Sequence, residues 1–141
     1  MQQTQTQLRN SYVDYCLGKY IDELKPKESF NDITRGLHWD VLEYNNIPIG
    51  IIGYYYKQQG EALDMYISLI YIDKKYRLKP TLWLESIKNI ALKKKIRYLE
   101  IQALPRLKRL LEHYLGVTPE LLIYKINVQL QIFTLILNKK F

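Results

Sequence analysis

The sequence predicts one α/β (α+β) domain built on a mixed, mostly antiparallel sheet with flanking helices. Three observations predict it. Apolar residues at helical spacing alternate with apolar runs of strand length. A strand, helix and strand over 62–103 form a crossover, which implies a parallel pair covered by a helix. Hairpin signals before and after that unit imply antiparallel neighbours. With 141 residues, the simplest organisation is a single domain over 1–141. A chain of that size buries roughly 68% of its unfolded surface, enough for one core.

The elements follow in order. Leu8, Tyr12, Cys16, Tyr20 and Leu24 recur every four residues, with Val13, Leu17 and Ile21 beside them. This predicts an amphipathic helix over about 7–24, which Pro26 ends. Residues 25–36 are polar and turn-like. Strands are expected over 37–44 and 47–57, joined by Asn45-Asn46, since Asn tolerates positive φ. After Gln58-Gln59-Gly60 comes a long apolar strand over 62–72. Pro80 suits the first turn of a helix over 81–95. Trp83, Leu84, Ile87, Ala91 and Leu92 form its buried side, and Lys93–Lys95 favour the negative end of its dipole. A strand follows over 97–103. A short helix over 105–115 turns Leu107, Leu110, Leu111 and Tyr114 inward and stops at Gly116. Strands over 121–128 and 131–137 close the chain.

Composition excludes several classes. Hydrophobic residues make up 48% and charged residues 25%, ordinary for a globular protein. Cys16 is the only cysteine, so one chain holds no disulfide framework or zinc cluster, and a reducing compartment is the default. His38 and His113 do not make a metal site on their own. The first seven residues lack the charge and apolar run of a signal peptide. No apolar run approaches the ~20 residues of a membrane span. Thirteen tyrosines suit strand packing and wet interfaces.

Charge is unevenly placed. Residues 74–109 hold twelve basic side chains and two acids, so this segment carries +10 of a net +7 and the remainder −3. Such asymmetry points to an anionic partner or a solvated basic face. The candidate anion or nucleic-acid surface is Lys74, Lys75, Arg77, Lys79, Arg106, Lys108 and Arg109.

The stretch from Tyr71 to Trp83 carries the main functional signal. A strand ends in Ile72, a basic loop follows, and a helix starts near Pro80. First-turn N–H groups of a helix are unpaired and point outward, so this arrangement is a natural anion site.

The element order, with a hairpin leading into β-α-β-α-β-β, resembles the GNAT family of acyl-CoA N-acetyltransferases. The resemblance covers most of the chain after the first helix and is strongest over 63–117. The loop spacing is similar to the family's acyl-CoA-binding turn, Arg/Gln-x-x-Gly-x-Gly/Ala. Arg77 takes the basic position, while Pro80 and Leu82 take the two small ones. Leu115-Gly116-Val117 matches the family's Leu-Gly-Phe. The resemblance implies acetyl-CoA as cofactor, with Arg77, Lys79 and Thr81 as its binding residues if acyl-CoA binds.

In active members of the family, glycine lets backbone N–H groups approach the CoA pyrophosphate. Pro80 has no N–H to give, and Leu82 adds bulk. One lost donor to a phosphate oxygen costs about 1.5–3 kcal/mol. Lys74, Lys75 and Lys79 would compensate in part through charge. The family's Asn at the last helix falls on Pro105, and its Tyr general acid falls on Glu112. Glu112 would donate a proton only with a raised pKa. The adjacent His113 and Tyr114 turn to other helical faces. A general base is expected on the third strand, where Asp64 and Glu61 are the carboxylates. The weak catalytic candidates are therefore Asp64, Glu112 and Tyr114.

Three altered landmarks imply a fold retained without its reaction, serving binding or assembly with other protein chains, with no cofactor. Degenerate versions of the fold occur among internal virion proteins of short-tailed bacteriophages, and this short Lys/Asn/Tyr/Ile-rich chain is compatible with that origin. The expected location is cytoplasmic, or the virion. An active N-acyltransferase with a divergent turn is the alternative. It needs an open V-shaped gap between the strands at 62–72 and 97–103, and it fails if Leu82 or Trp83 fills that gap. The third function is nucleic-acid binding through 74–109, with Tyr76, Trp83 and Tyr98 as stacking candidates.

Overall fold

In the computed structural model the described residues are 5–102 and 123–128. Helix α1 spans Gln5–Leu24 and α2 spans Phe30–Thr34. Strands β1 (His38–Tyr44), β2 (Ile47–Gln59) and β3 (Ala62–Ile72) follow, then a 3₁₀ turn at Lys74–Tyr76 and helix α3 (Pro80–Lys93). With strands β4 (Tyr98–Gln102) and β5 (Ile123–Asn127), the described residues form a five-stranded sheet in the order β1-β2-β3-β4-β5. Among these five strands only β3 and β4 are parallel. The mixed α+β class expected from the sequence is the one observed. The expected helix over 105–115 and strand over 131–137 lie outside the described residues.

The sheet has a helix on each face. α1 covers Ile51, Leu69 and Tyr71 with Val13, Cys16 and Leu17. α3 covers the opposite face, where Trp83, Leu84, Ile87 and Ala91 meet Ile52, Met65, Ile67, Leu99 and Ile101. Fully burying one such side chain contributes about 1.5–3 kcal/mol, so this second face holds most of the core. Leu8, expected on the buried stripe of α1, is 48% exposed. A four-residue repeat outruns the 3.6-residue turn by roughly 40° per step. Two steps before Cys16 the stripe has rotated into solvent.

Local chemistry sets the boundaries. α1 stops at Leu24, and Lys25 takes a positive φ of 44°, because Pro26 disfavours a helical residue before it. Asn45 and Asn46 have φ 51° and 64°, as a tight primed hairpin turn requires. β2 runs past the expected 57 to Gln59, and Gly60 (φ 63°) turns the second hairpin. α3 ends at Lys93, not at 95. Lys95 takes φ 58°, its N–H meets Leu92 O at 3.0 Å, and the Ile96 N–H meets Ala91 O at 2.9 Å. This is a Schellman closure with lysine where glycine is usual. The short α2 within the turn-like 25–36 is capped by Ser29, whose Oγ accepts from the Asp32 N–H at 3.2 Å.

Candidate functional site

The candidate site lies where β3 leaves β4. Their parallel ladder covers Met65–Leu99, Tyr66–Glu100 and Ile67–Ile101, and β3 then continues to Ile72. At that point β3 is bulged. Gly53 pairs with Leu69 and Tyr54 with Ile67, so Ser68 has no place in either ladder. A bulge shifts side-chain alternation by one residue. Met65 and Ile67 face α3 before it, and Ile70 and Ile72 do so after it. Leu69 and Tyr71 therefore turn toward α1.

The loop after β3 is tightly organised. Its first residue is anchored to β2 through Asp73 N–H to Ile49 O at 2.8 Å. Asp73 Oδ1 accepts from the Lys75 N–H at 3.0 Å, capping the 3₁₀ turn. Arg77 then folds back. Its Nε donates to Ile72 O at 2.7 Å, its Nη2 pairs with Glu23 Oε2, and its guanidinium carbon sits 5.1 Å from the Tyr71 ring centroid. Glu23 also accepts from Tyr71 Oη at 3.4 Å and lies 3.8 Å from Lys74 Nζ. Partial burial works to raise the Glu23 pKa, but the Arg77 hydrogen bond and charge, with Lys74 and Tyr71, outweigh it and hold it below the usual value. Burial and the Glu23 charge push the Tyr71 phenol up to about 12.

Helix α3 begins beside this strap. Pro80 occupies its first turn and is buried, and Lys79 at the N-cap makes no side-chain capping bond. Thr81 is exposed and Leu82 is half-buried against the main core. Trp83 is 1% exposed, within the core that holds Ile67, Ile72 and Ile101, and its Nε1 donates to Arg77 O at 3.4 Å. Leu78 projects from the loop at 89% exposure, flanked by exposed Lys79 and, a turn earlier, Lys74 and Lys75.

Among the proposed catalytic residues, Asp64 is 4% exposed and sits at the opposite, paired end of the β3–β4 unit. Its Oδ1 accepts from Arg97 Nε at 3.2 Å and from the Tyr98 N–H at 3.3 Å, and its Oδ2 from Arg97 Nη2 at 3.0 Å. Glu61 lies in the β2–β3 turn. Glu112, His113 and Tyr114, with Arg106, Lys108 and Arg109, lie outside the described residues. The basic segment is partly consumed: Arg77, Lys94 and Arg97 form ion pairs with Glu23, Asp40 and Asp64. Lys88 is buried, and desolvation lowers its pKa against the opposing pull of Glu85. Lys74, Lys75 and Lys79 stay exposed together. Tyr76 and Tyr98 are half-buried, while Trp83 is core.

Sequence reading missed Glu23, Ser68 and Arg97. Glu23 stands 54 positions from Arg77, and nothing in its surroundings marks it. The Ser68 bulge lies inside a continuous apolar run. Among the described residues no helix is long and apolar enough to cross a membrane.

No protein-family model matches the sequence, and no curated protein does. Solved structures do resemble the fold. The aminoglycoside acetyltransferase HMB0005, from an uncultured soil metagenomic sample, superposes with a TM-score of 0.56 at 15% identity, over 82% of this chain and 90% of that one. A second soil metagenomic aminoglycoside acetyltransferase, in complex with sisomicin, gives 0.53 at 12% identity over 77% and 80%. The N-acyl amino acid synthase FeeM from uncultured soil microbes gives 0.52 at 13% identity over 77% and 78%. The chain has the GNAT acetyltransferase fold. At these identities the likeness is one of architecture.

Proposed function

We propose that this chain is an acetyltransferase-fold protein that has given up acyl transfer and works by contact, as a binding or assembly component alongside other protein chains. The observation that carries the reading is the Arg77–Glu23 strap. The cation that would open an acyl-CoA turn is committed to Glu23, the Ile72 carbonyl and the Tyr71 ring. The residues at this turn do not fit a CoA pyrophosphate. Pro80 removes a first-turn donor, and a carboxylate already holds the guanidinium. Asp64, the carboxylate of β3, is buried under Arg97 and the Tyr98 N–H, which suits a clasp better than a base. A place inside a phage particle is one setting for such a component.

The test is thermal unfolding of the full chain with and without millimolar acetyl-CoA. A ligand at 100 times its dissociation constant adds about 2.7 kcal/mol of stability. The expected result is an unchanged midpoint. A saturable rise overturns the reading in favour of an N-acyltransferase with a divergent turn. Exposed Lys74, Lys75 and Lys79 support a third reading, an anionic or nucleic-acid partner. Binding to a duplex oligonucleotide that falls steeply with added salt would favour it.

A further inference from the structure

We infer that the outer edge of β1 is a docking site for an extended, acidic segment of a partner protein, which adds to the sheet as an antiparallel strand. The inference deepens the contact reading above by naming the surface and the chemistry of what it holds.

Among the described residues β1 is the outermost strand. The backbone groups of Asp40 and Leu42 face inward, opposite Ile52 and Gly50 of β2. Backbone groups of alternate residues in an antiparallel strand turn to the same side, so those of Trp39, Val41 and Glu43 point outward. Two side chains confirm this direction. Arg9 of α1 donates to the Trp39 carbonyl, and Ser86 Oγ of α3 accepts from the Glu43 N–H at 3.2 Å. The two ends of the edge are thus capped from opposite helices. Val41 lies between the caps and presents both its N–H and its C=O outward. One residue of an added strand, placed opposite Val41, would exchange two hydrogen bonds with it.

The space beyond that edge is a groove of about 910 Å³ between α1 and α3. Leu8, Tyr12, Val41 and Ile90 give it apolar walls. Its charge is polarised along β1. At the Trp39 end Arg9 and Lys94 pair with one carboxylate, Asp40, and Lys93 lines the same groove, leaving two positive charges in excess. At the far end stands Glu43. A strand with an apolar residue opposite Val41 and acidic residues after it would place its acids at Lys93 by running antiparallel to β1.

Other occupants fit less well. In a second copy, β1 is recessed between its own α1 and α3, so two such edges cannot approach to the ~4.8 Å of a paired ladder. Of the stretches outside the described residues, 103–122 and 129–141 are net basic and 1–4 hold no acid, so none has the sign that the Lys93 end calls for.

The experiment selects displayed random heptapeptides on the immobilised full chain and measures a recovered peptide by fluorescence anisotropy. The expected peptides carry an apolar residue followed by Asp or Glu. Their affinity should fall at least tenfold with Val41→Pro, which removes the outward N–H without touching the β1–β2 ladder. Lys93→Glu should weaken the acidic peptides as well. Amide hydrogen exchange gives a second measure that needs no variant: the Val41 N–H exchanges faster than those of Asp40 and Leu42 in the free protein, and the peptide protects it. Failure to recover a peptide overturns the inference, as does binding that leaves Val41 exchange unchanged. Either of those results with no acetyl-CoA shift moves the contact surface elsewhere, whereas an acetyl-CoA shift removes the contact reading itself.

Discussion

Arg77 and Glu23 join the loop after β3 to the last turn of α1, across 54 positions of sequence. The side chains are 32% and 21% exposed. The pair ties the loop after β3 into the scaffold, because a guanidinium that holds a carboxylate and a backbone carbonyl has its charge partly neutralised and its plane fixed, with three of its five N–H donors left.

Glu23→Gln should lower stability by about 1 kcal/mol, the modest figure expected for a charge-assisted bond partly screened by solvent. The sign with pH follows from the lowered Glu23 pKa. Its contribution is present above the ordinary value of 4.5 and is lost as pH falls through the folded value. Chemical denaturation of both proteins at several pH values checks this. The wild-type advantage should hold at neutral pH and shrink below pH 4.5. A constant gap would mean that the substitution costs packing and not charge.

Asp64 distinguishes a clasp from a base. Asp64→Ala leaves the Tyr98 N–H and the Arg97 guanidinium without this acceptor at the start of β4, and the melting midpoint should drop by several degrees. Asp64→Asn keeps an oxygen for the Tyr98 N–H and should recover part of that loss. The measurement is differential scanning fluorimetry on the three proteins. Equal stability of all three would remove the structural role and return Asp64 to the catalytic candidates.

The fold was legible in the sequence wherever local chemistry decides it. The β-α-β unit, the Asn45-Asn46 hairpin and the buried face of α3 follow from periodicity and turn residues. The site was less legible, because its determinants are relations between distant elements. Arg77 reads as a phosphate ligand until Glu23 is seen beside it. Asp64 reads as a candidate base until Arg97 arrives from the neighbouring strand. The Ser68 bulge is hidden because Ile67, Leu69, Ile70, Tyr71 and Ile72 would be apolar in either alternation. The helix end at Lys93 was hidden for a different reason: Lys95 closes it from a conformation usually left to glycine.

Gly53 explains how Trp39 crosses the sheet. A Cβ at Gly53 would stand 2.7 Å from Trp39 Cζ3 and 2.9 Å from Leu37 Cδ1. The indole therefore lies over bare backbone, where it helps cover the α1 face. Gly53→Ala should cost about 1–3 kcal/mol, as overpacking does. Near-ultraviolet circular dichroism should show Trp39 displaced. The double variant Gly53→Ala with Trp39→Val should cost less than the two changes added separately, and strict additivity would show that the two residues do not meet.

Lys88 is the one buried cation of α3 among the described residues, at 5% exposure. Desolvation opposes its charged form more strongly than Glu85 supports it, so its pKa lies below 10.5. A lowered lysine pKa means that the folded state binds its proton less well than the unfolded state does, and folding carries that penalty at every pH below the folded value. The penalty is relieved as pH rises from the folded value to 10.5. Lys88→Met keeps the length of the side chain and removes the charge, and should add about 0.5–2 kcal/mol at pH 7. Its advantage over the wild type should narrow as pH is raised toward 10.5, read from denaturant midpoints at matched ionic strength. An advantage that stays constant over that range would place the gain in packing and leave the lysine charge solvated.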